Sequence, residues 1–131
     1  VTPRDSIPQE FNQLSGNVVE ATFAVHSQLG PGLLERVYQT CLVHELRKRD
    51  IFFEQQVWWP IHYDGLRLDA GLRIDLWIDR RVIVELKSVE SLLRVHQAQM
   101  LTYLKLTGNR LGLLINFNVP VIRDGIKRVV L

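Results

Sequence analysis

Two segments of this chain carry charge inside otherwise apolar runs. They are Arg73-Ile74-Asp75-Leu76-Trp77-Ile78 and, after Asp79-Arg80-Arg81, Val82-Ile83-Val84-Glu85-Leu86-Lys87. Both have the β-branched and aromatic content of strands. A bare buried carboxylate is costly or is forced to take up a proton, so Asp75 and Glu85 need a partner, a cation or an open cleft. Two facing carboxylates, with the Lys87 ammonium two residues beyond Glu85, have the chemistry of a Mg²⁺-phosphate site.

Whether the acids meet depends on the loop, because side chains alternate faces along a strand. With Asp79-Arg80-Arg81 as the break, Ile78 faces Val82, Trp77 faces Ile83, Asp75 faces Glu85 and Arg73 faces Lys87. The other face is then wholly apolar: Leu72, Ile74, Leu76 and Ile78 against Val82, Val84 and Leu86. A two-residue loop would put an acid into that core, so the pattern selects an odd loop, or an even loop with one bulge. Two readings of the charged face stay open. A cross-strand salt-bridge patch is the simpler one on the hairpin alone. A cleft beside a covering helix is the other, and Trp77 and Ile83 on the same face argue for cover.

The remaining elements must place that hairpin. Residues 1–10 read as a loose arm and 11–131 as one domain. Apolar spacing predicts a helix over Phe11–Leu29, with Val18, Thr22, Val25 and Leu29 on one stripe, broken by Gly30-Pro31-Gly32. A second helix, Leu33–Arg49, has Leu34, Val37, Tyr38, Cys41, Leu42 and Leu46 at a steady 3/4 spacing, with Glu35 in its first turn. A strand follows at Val57–Tyr63, with Pro60 marking an edge or bulge. Asp64-Gly65 turns it into a short strand at Leu66–Asp69, and Gly71 opens the next strand.

A third helix is predicted over Leu92–Thr107, with Val95, Ala98, Leu101 and Thr102 available as its packing face. His96, Gln99 and Tyr103 share its polar stripe, which taken alone is an ordinary amphipathic border. Leu111–Phe117 reads as a strand covered on both faces, and Asp124-Gly125 as a last hairpin. The order is that of a mixed α/β domain with a central sheet flanked by helices.

Composition bounds the class. At 131 residues, 47% hydrophobic and 23% charged, the chain can bury one real core. A net charge of +2 permits a nucleic-acid partner without pointing to one. Arg47-Lys48-Arg49, Arg80-Arg81 and Arg123 with Lys127-Arg128 each read as a solvated helix end or turn. Cys41 is the single cysteine and falls at a core position, which fits a reducing, cytoplasmic compartment and excludes an intrachain disulfide. No segment has the length and apolarity of a membrane span. His26, His44 and His62 lack metal-ligand spacing. Trp58, Trp59 and the last hairpin are open to two readings, a homodimer or partner surface and core.

Asp75 followed by Glu85-x-Lys87 resembles the PD-(D/E)xK nuclease signature. Gln99-x-x-x-Tyr103 looks like the motif that follows it in the exonuclease branch. Gly32-x-x-Glu35-x-x-Tyr38 is similar to the motif that names the bacterial GxxExxY proteins of that superfamily. The likeness runs from about Val18 to the C-terminus. It implies a restriction-endonuclease-like core with a mixed, roughly four-stranded sheet. It further implies that Asp75 and Glu85 bind Mg²⁺ or Mn²⁺, with Glu35 as an additional ligand. Lys87 would orient the attacking water and stabilise charge on the phosphate, while Gln99 and Tyr103 would support the site. The sequence departs from the family where Ile74 replaces the leading proline and where Leu72 stands in place of a common aromatic.

The leading expectation is a metal-dependent nuclease acting on DNA rather than RNA. The alternative is a catalytically weak or silent nucleic-acid- or protein-binding module on the same fold, since fold alone does not fix function. A third reading is a structural α/β domain whose charges pair among themselves.

Overall fold

The computed structural model describes residues 7–131. Its elements are α1 (Gln9–Leu29), α2 (Glu35–Lys48), β1 (Phe53–Tyr63), β2 (Leu66–Ile78), β3 (Val82–Lys87), α3 (Arg94–Thr107), β4 (Leu111–Asn116) and β5 (Ile126–Val130), the last preceded by a 3₁₀ turn at Ile122–Gly125. Of the expected arm, residues 1–6 lie outside the described part, while Ile7 is buried and Pro8 precedes the first turn of α1.

The strands form one mixed sheet in the order β1-β2-β3-β4-β5, five strands rather than about four. Only β3 and β4 run parallel, joined through α3 as a parallel pair requires. Helices α1 and α2 cover one face, where Val18, Val25, Tyr38, Leu42 and Leu46 pack on Leu76, Val84, Leu86, Leu113 and Ile115. Helix α3 covers the other through Met100 and Leu104, which join Trp77 and Ile83. Every residue of β4 is buried, as its continuous apolar run requires.

The β2–β3 register follows the hydrophobic pattern: Ile78 pairs with Val82, Trp77 with Ile83 and Leu76 with Val84. The turn combines the two loop options. Arg81 N–H donates to Ile78 O at 2.9 Å, and Asp79 and Arg80 both have positive φ (51° and 56°). This is the backbone of a tight hairpin turn with Arg81 as one extra residue. Arg80 is held over the Trp77 ring at 4.2 Å and bonds both Glu54 oxygens.

Several expectations need correction. Leu72 and Ile74 do not continue the face of Leu76; they join the α3-side cluster with Trp59 and Ile61. β2 is 13 residues long and β3 only 6, so the first half of β2 has β1 as its partner; the β1–β2 pairing skips Gln56 and Asp75, Gln56 has a positive φ of 53°, and the alternation of faces breaks there. The two short strands around Gly71 are one strand, and the register slips between Trp59 and Ile61, at Pro60. On α3, Val95, Ala98, Leu101 and Thr102 face outward, and the packing face is Met100 and Leu104 with Tyr103. Asp124-Gly125 makes no tight hairpin. Gly125 instead lets the chain pass Asn116, whose carbonyl oxygen would lie 2.1 Å from a Cβ. Cys41 is half-buried at the edge of the core. Trp59 turns inward and meets Trp77 edge-on at 5.3 Å, whereas Trp58 is exposed.

Gly71 lies where the β1–β2 ribbon closes on itself, and a Cβ there would sit 2.4 Å from Ile61 Cγ1. Gly71→Ala should therefore cost about 1–3 kcal/mol in denaturant unfolding. Adding Ile61→Ala should recover part of that loss. Unchanged stability of Gly71→Ala would show that the ribbon is not closed in this way.

Candidate active site

Regular β2–β3 pairing ends at Leu76 and Val84, one step before the two acids. There the carboxylates take over the backbone donors. Leu86 N–H donates to Asp75 Oδ2 at 3.1 Å, and Asp75 N–H donates to Glu85 Oε1 at 3.4 Å. Asp75 is 4% exposed and Glu85 6%. The two acids meet across neighbouring strands as expected, although the alternation behind that expectation breaks beside them, Ile74 joining the same cluster as Trp77.

Burial sets the electrostatics. Burial pushes the Glu85 carboxyl up to about 8, and the neighbouring Asp75 charge adds to the rise. Burial also raises Asp75, against the Leu86 N–H bond and the Arg73 and Lys87 charges that lower it. Arg73 Nη2 lies 3.7 Å from Asp75 Oδ1, with half of its own side chain in solvent. One partly hydrated cation leaves the pair short of positive charge. Lys87, half-buried at the end of β3, acts on Asp75 and Glu85 through space.

Glu35 stands in the first turn of α2 and is largely exposed. Partial burial and then the Asp75 charge raise its carboxyl, while Lys87 and Arg73 lower it. It is thus electrostatically part of the site. Among the described residues, however, no three acidic, histidine or cysteine side chains meet closely enough to hold a metal ion by themselves. The donor set still fits a hard divalent cation: it consists of carboxylate oxygens, and the two buried ones lack a full countercharge.

The polar stripe of α3 divides. His96 Nδ1 accepts the Leu93 N–H at 2.9 Å and so secures the start of the helix. Gln99 Nε2 donates to the Tyr103 hydroxyl at 3.0 Å. Burial, followed by the Glu85 charge, raises the Tyr103 phenol. His26 is structural, its Nε2 lying 2.8 Å from Val119 O, and His44 and His62 are exposed.

Asn116 and Ser88 escaped the sequence reading, and Tyr38 entered it only as an apolar-stripe and motif position. Asn116, 1% exposed, accepts the Val89 N–H at 3.0 Å and donates to Val89 O at 2.9 Å, fixing the chain that leaves Lys87. Ser88 Oγ donates to Leu33 O at 2.6 Å, and the Tyr38 hydroxyl bonds Gly30 O and Leu33 N–H. An asparagine ending an apolar strand was the signal available for Asn116; Tyr38 stood in the Gly32-x-x-Glu35-x-x-Tyr38 motif without its hydroxyl's role being readable, and Ser88 depends on a contact between distant segments.

A mixed sheet between helices, with two acids and a lysine on its central hairpin, defines an α/β restriction-endonuclease-like fold. Residues 12–129 match the family model of the PD-(D/E)XK nuclease superfamily, and the chain belongs to that superfamily. The family defines a nuclease-type domain with a nucleic-acid substrate. Comparison with curated proteins and with solved structures gave no match. No helix among the described residues is long and apolar enough to cross a membrane.

The raised Glu85 carboxyl predicts how metal-free stability depends on pH. Its value in the folded protein, about 8, exceeds the ordinary 4.5, so the folded state binds the proton more tightly. The contribution is complete below pH 4.5 and is lost as pH rises toward about 8. Thermal unfolding in EDTA should therefore show stability falling across that window. Glu85→Gln should flatten the fall, and a wild-type slope in that variant would remove Glu85 as its source.

Proposed function

We propose that this chain is a metal-dependent nuclease that hydrolyses phosphodiester bonds, with DNA as its substrate. The observation that carries the reading is the buried Asp75–Glu85 pair on neighbouring strands, with Lys87 on the next outward step of β3. Asp75 and Glu85 would hold Mg²⁺ or Mn²⁺, with Glu35 as an additional ligand. The ion, when bound, would supply Lewis-acid stabilisation and help activate water. Lys87 would orient the attacking water and offset charge gathering on the phosphate. The Gln99–Tyr103 pair would support the acids from α3. Gly32, Glu35 and Tyr38 support placing the chain with the GxxExxY proteins.

A second reading, a nucleic-acid-binding module with little or no turnover, is favoured by the exposure of Glu35 and the lack of a closed three-residue ligand set among the described residues. One assay separates the two. Purified protein is incubated with single-stranded, duplex and circular DNA and with RNA, in Mg²⁺, Mn²⁺ or EDTA. We expect metal-dependent cutting of DNA. Lys87→Ala should lower cutting at least about 100-fold while retaining metal binding. Glu85→Gln should lower both. Cutting by either variant at the wild-type rate would overturn the residue roles, and metal and nucleic-acid binding without cutting would favour the binding module.

A further inference from the structure

The sequence joins Gly32, Glu35 and Tyr38 in one motif, yet the proposed chemistry uses only Glu35. We propose that Tyr38 is a positioning residue: its hydroxyl fixes the Gly30–Leu34 loop and so holds Glu35 beside the Asp75–Glu85 pair. The inference rests on Glu35 acting as a metal ligand.

The loop has little else to hold it. Pro31, Gly32, Leu33 and Leu34 are all exposed, so it has no anchor in the core. Leu34 precedes α2 without giving it a side-chain cap. Gly30 and Gly32 have positive φ, 68° and 97°, a region that restrains other residues but leaves glycine free.

Tyr38 supplies the missing anchor. It is fully buried, with its ring stacked on Phe117 at 4.5 Å and 6° between planes. Phe117 N–H in turn donates to Lys87 O at 3.0 Å, so the platform under the ring is fixed to the proposed site. The hydroxyl donates to Gly30 O at 2.6 Å and accepts the Leu33 N–H at 3.1 Å.

Ser88, the residue after Lys87, completes the arrangement by donating to Leu33 O at 2.6 Å. Both backbone polar groups of Leu33 are thereby engaged, one by α2 and the other by the end of β3. Glu35 follows two residues later. Little chain is left to move it relative to Lys87. A phenylalanine at position 38 would serve the stack equally well; the hydroxyl is what the loop uses.

The test is a double-mutant cycle read by calorimetric Mn²⁺ binding to the full chain, which needs no turnover. Tyr38→Phe keeps the ring and its stack. It should stay folded and bind Mn²⁺ about five- to tenfold more weakly, the effect of one ordinary hydrogen bond. Glu35→Gln should also weaken binding. The combined variant should bind no more weakly than Glu35→Gln alone, because the hydroxyl acts through Glu35. Ser88→Ala, which leaves the core untouched, should reproduce the pattern if Tyr38→Phe proves unstable. Equal losses from Tyr38→Phe with and without Glu35→Gln would overturn the positioning role. So would wild-type affinity in both Tyr38→Phe and Ser88→Ala when Glu35→Gln is weakened. Wild-type affinity in Glu35→Gln would overturn the ligand role of Glu35 and the positioning inference with it.

Discussion

Two carboxylates buried against each other are the constraint around which this fold is arranged. Asp75 and Glu85 cannot both carry charge out of water without compensation. The structure answers by ending regular β2–β3 pairing at Leu76 and Val84 and giving the freed N–H groups of Asp75 and Leu86 to the acids. These bonds satisfy backbone donors that the interrupted ladder leaves free, at 3.1 Å to Asp75 and 3.4 Å to Glu85. Burial still dominates at Glu85, whose carboxyl stays raised to about 8. The divergence of the strands and the electrostatics of the pair therefore belong to one local arrangement.

The surrounding elements keep that arrangement from collapsing. On one face Leu76, Val84 and Leu86 are locked beneath α1 and α2. On the other, α3 comes close because Gly112 has no side chain; a Cβ there would lie 2.4 Å from Met100 Sδ. That approach places the Gln99–Tyr103 border of the helix within electrostatic reach of the acids. Beyond β3, Asn116 and Ser88 hold the chain leaving Lys87, and Asn109 accepts the buried Trp77 indole N–H at 3.3 Å. Among the described residues, no buried side-chain nitrogen or oxygen lacks a hydrogen-bond partner. Such a fully satisfied polar network favours a rigid setting for the site.

Features governed by a strict period were legible in the sequence. The alternation held from Leu76 to Leu86, where Leu76, Ile78, Val82, Val84 and Leu86 share the core face that it assigned to them. The three helices followed from 3.6-residue spacing and glycine breaks. Features decided by tertiary competition were not legible. Helix α3 has apolar residues on more than one face, and the pocket beside Gly112 chose Met100 and Leu104 over Val95 and Leu101. Leu72 and Ile74 left their expected face because the β1–β2 pairing skips Gln56 and Asp75, where Gln56 has positive φ and the alternation breaks. Asp124-Gly125 carries a turn signal, but close passage by Asn116 uses that glycine instead. The carboxylate pair was readable; the exposure of Glu35 was not, because it depends on how α2 meets a sheet far along the chain.

Charge placement decides how such a domain attracts a phosphate. The net charge of +2 gives no strong global field. Several surface cations already answer local acids: Lys48 pairs with Glu45 at 3.4 Å, Arg67 with Asp69 at 2.7 Å and Arg81 with Asp79 at 3.5 Å. Arg80 is committed to Glu54 and to the Trp77 ring. Exposed pairs of this kind contribute about 0–1 kcal/mol to stability, yet each cancels charge that would otherwise reach into solvent. Arg73 and Lys87 differ because they face acids packed in a low-dielectric setting, where each unit of charge has greater effect. The cationic charge that matters to these acids is thus local to them, instead of being spread over the surface.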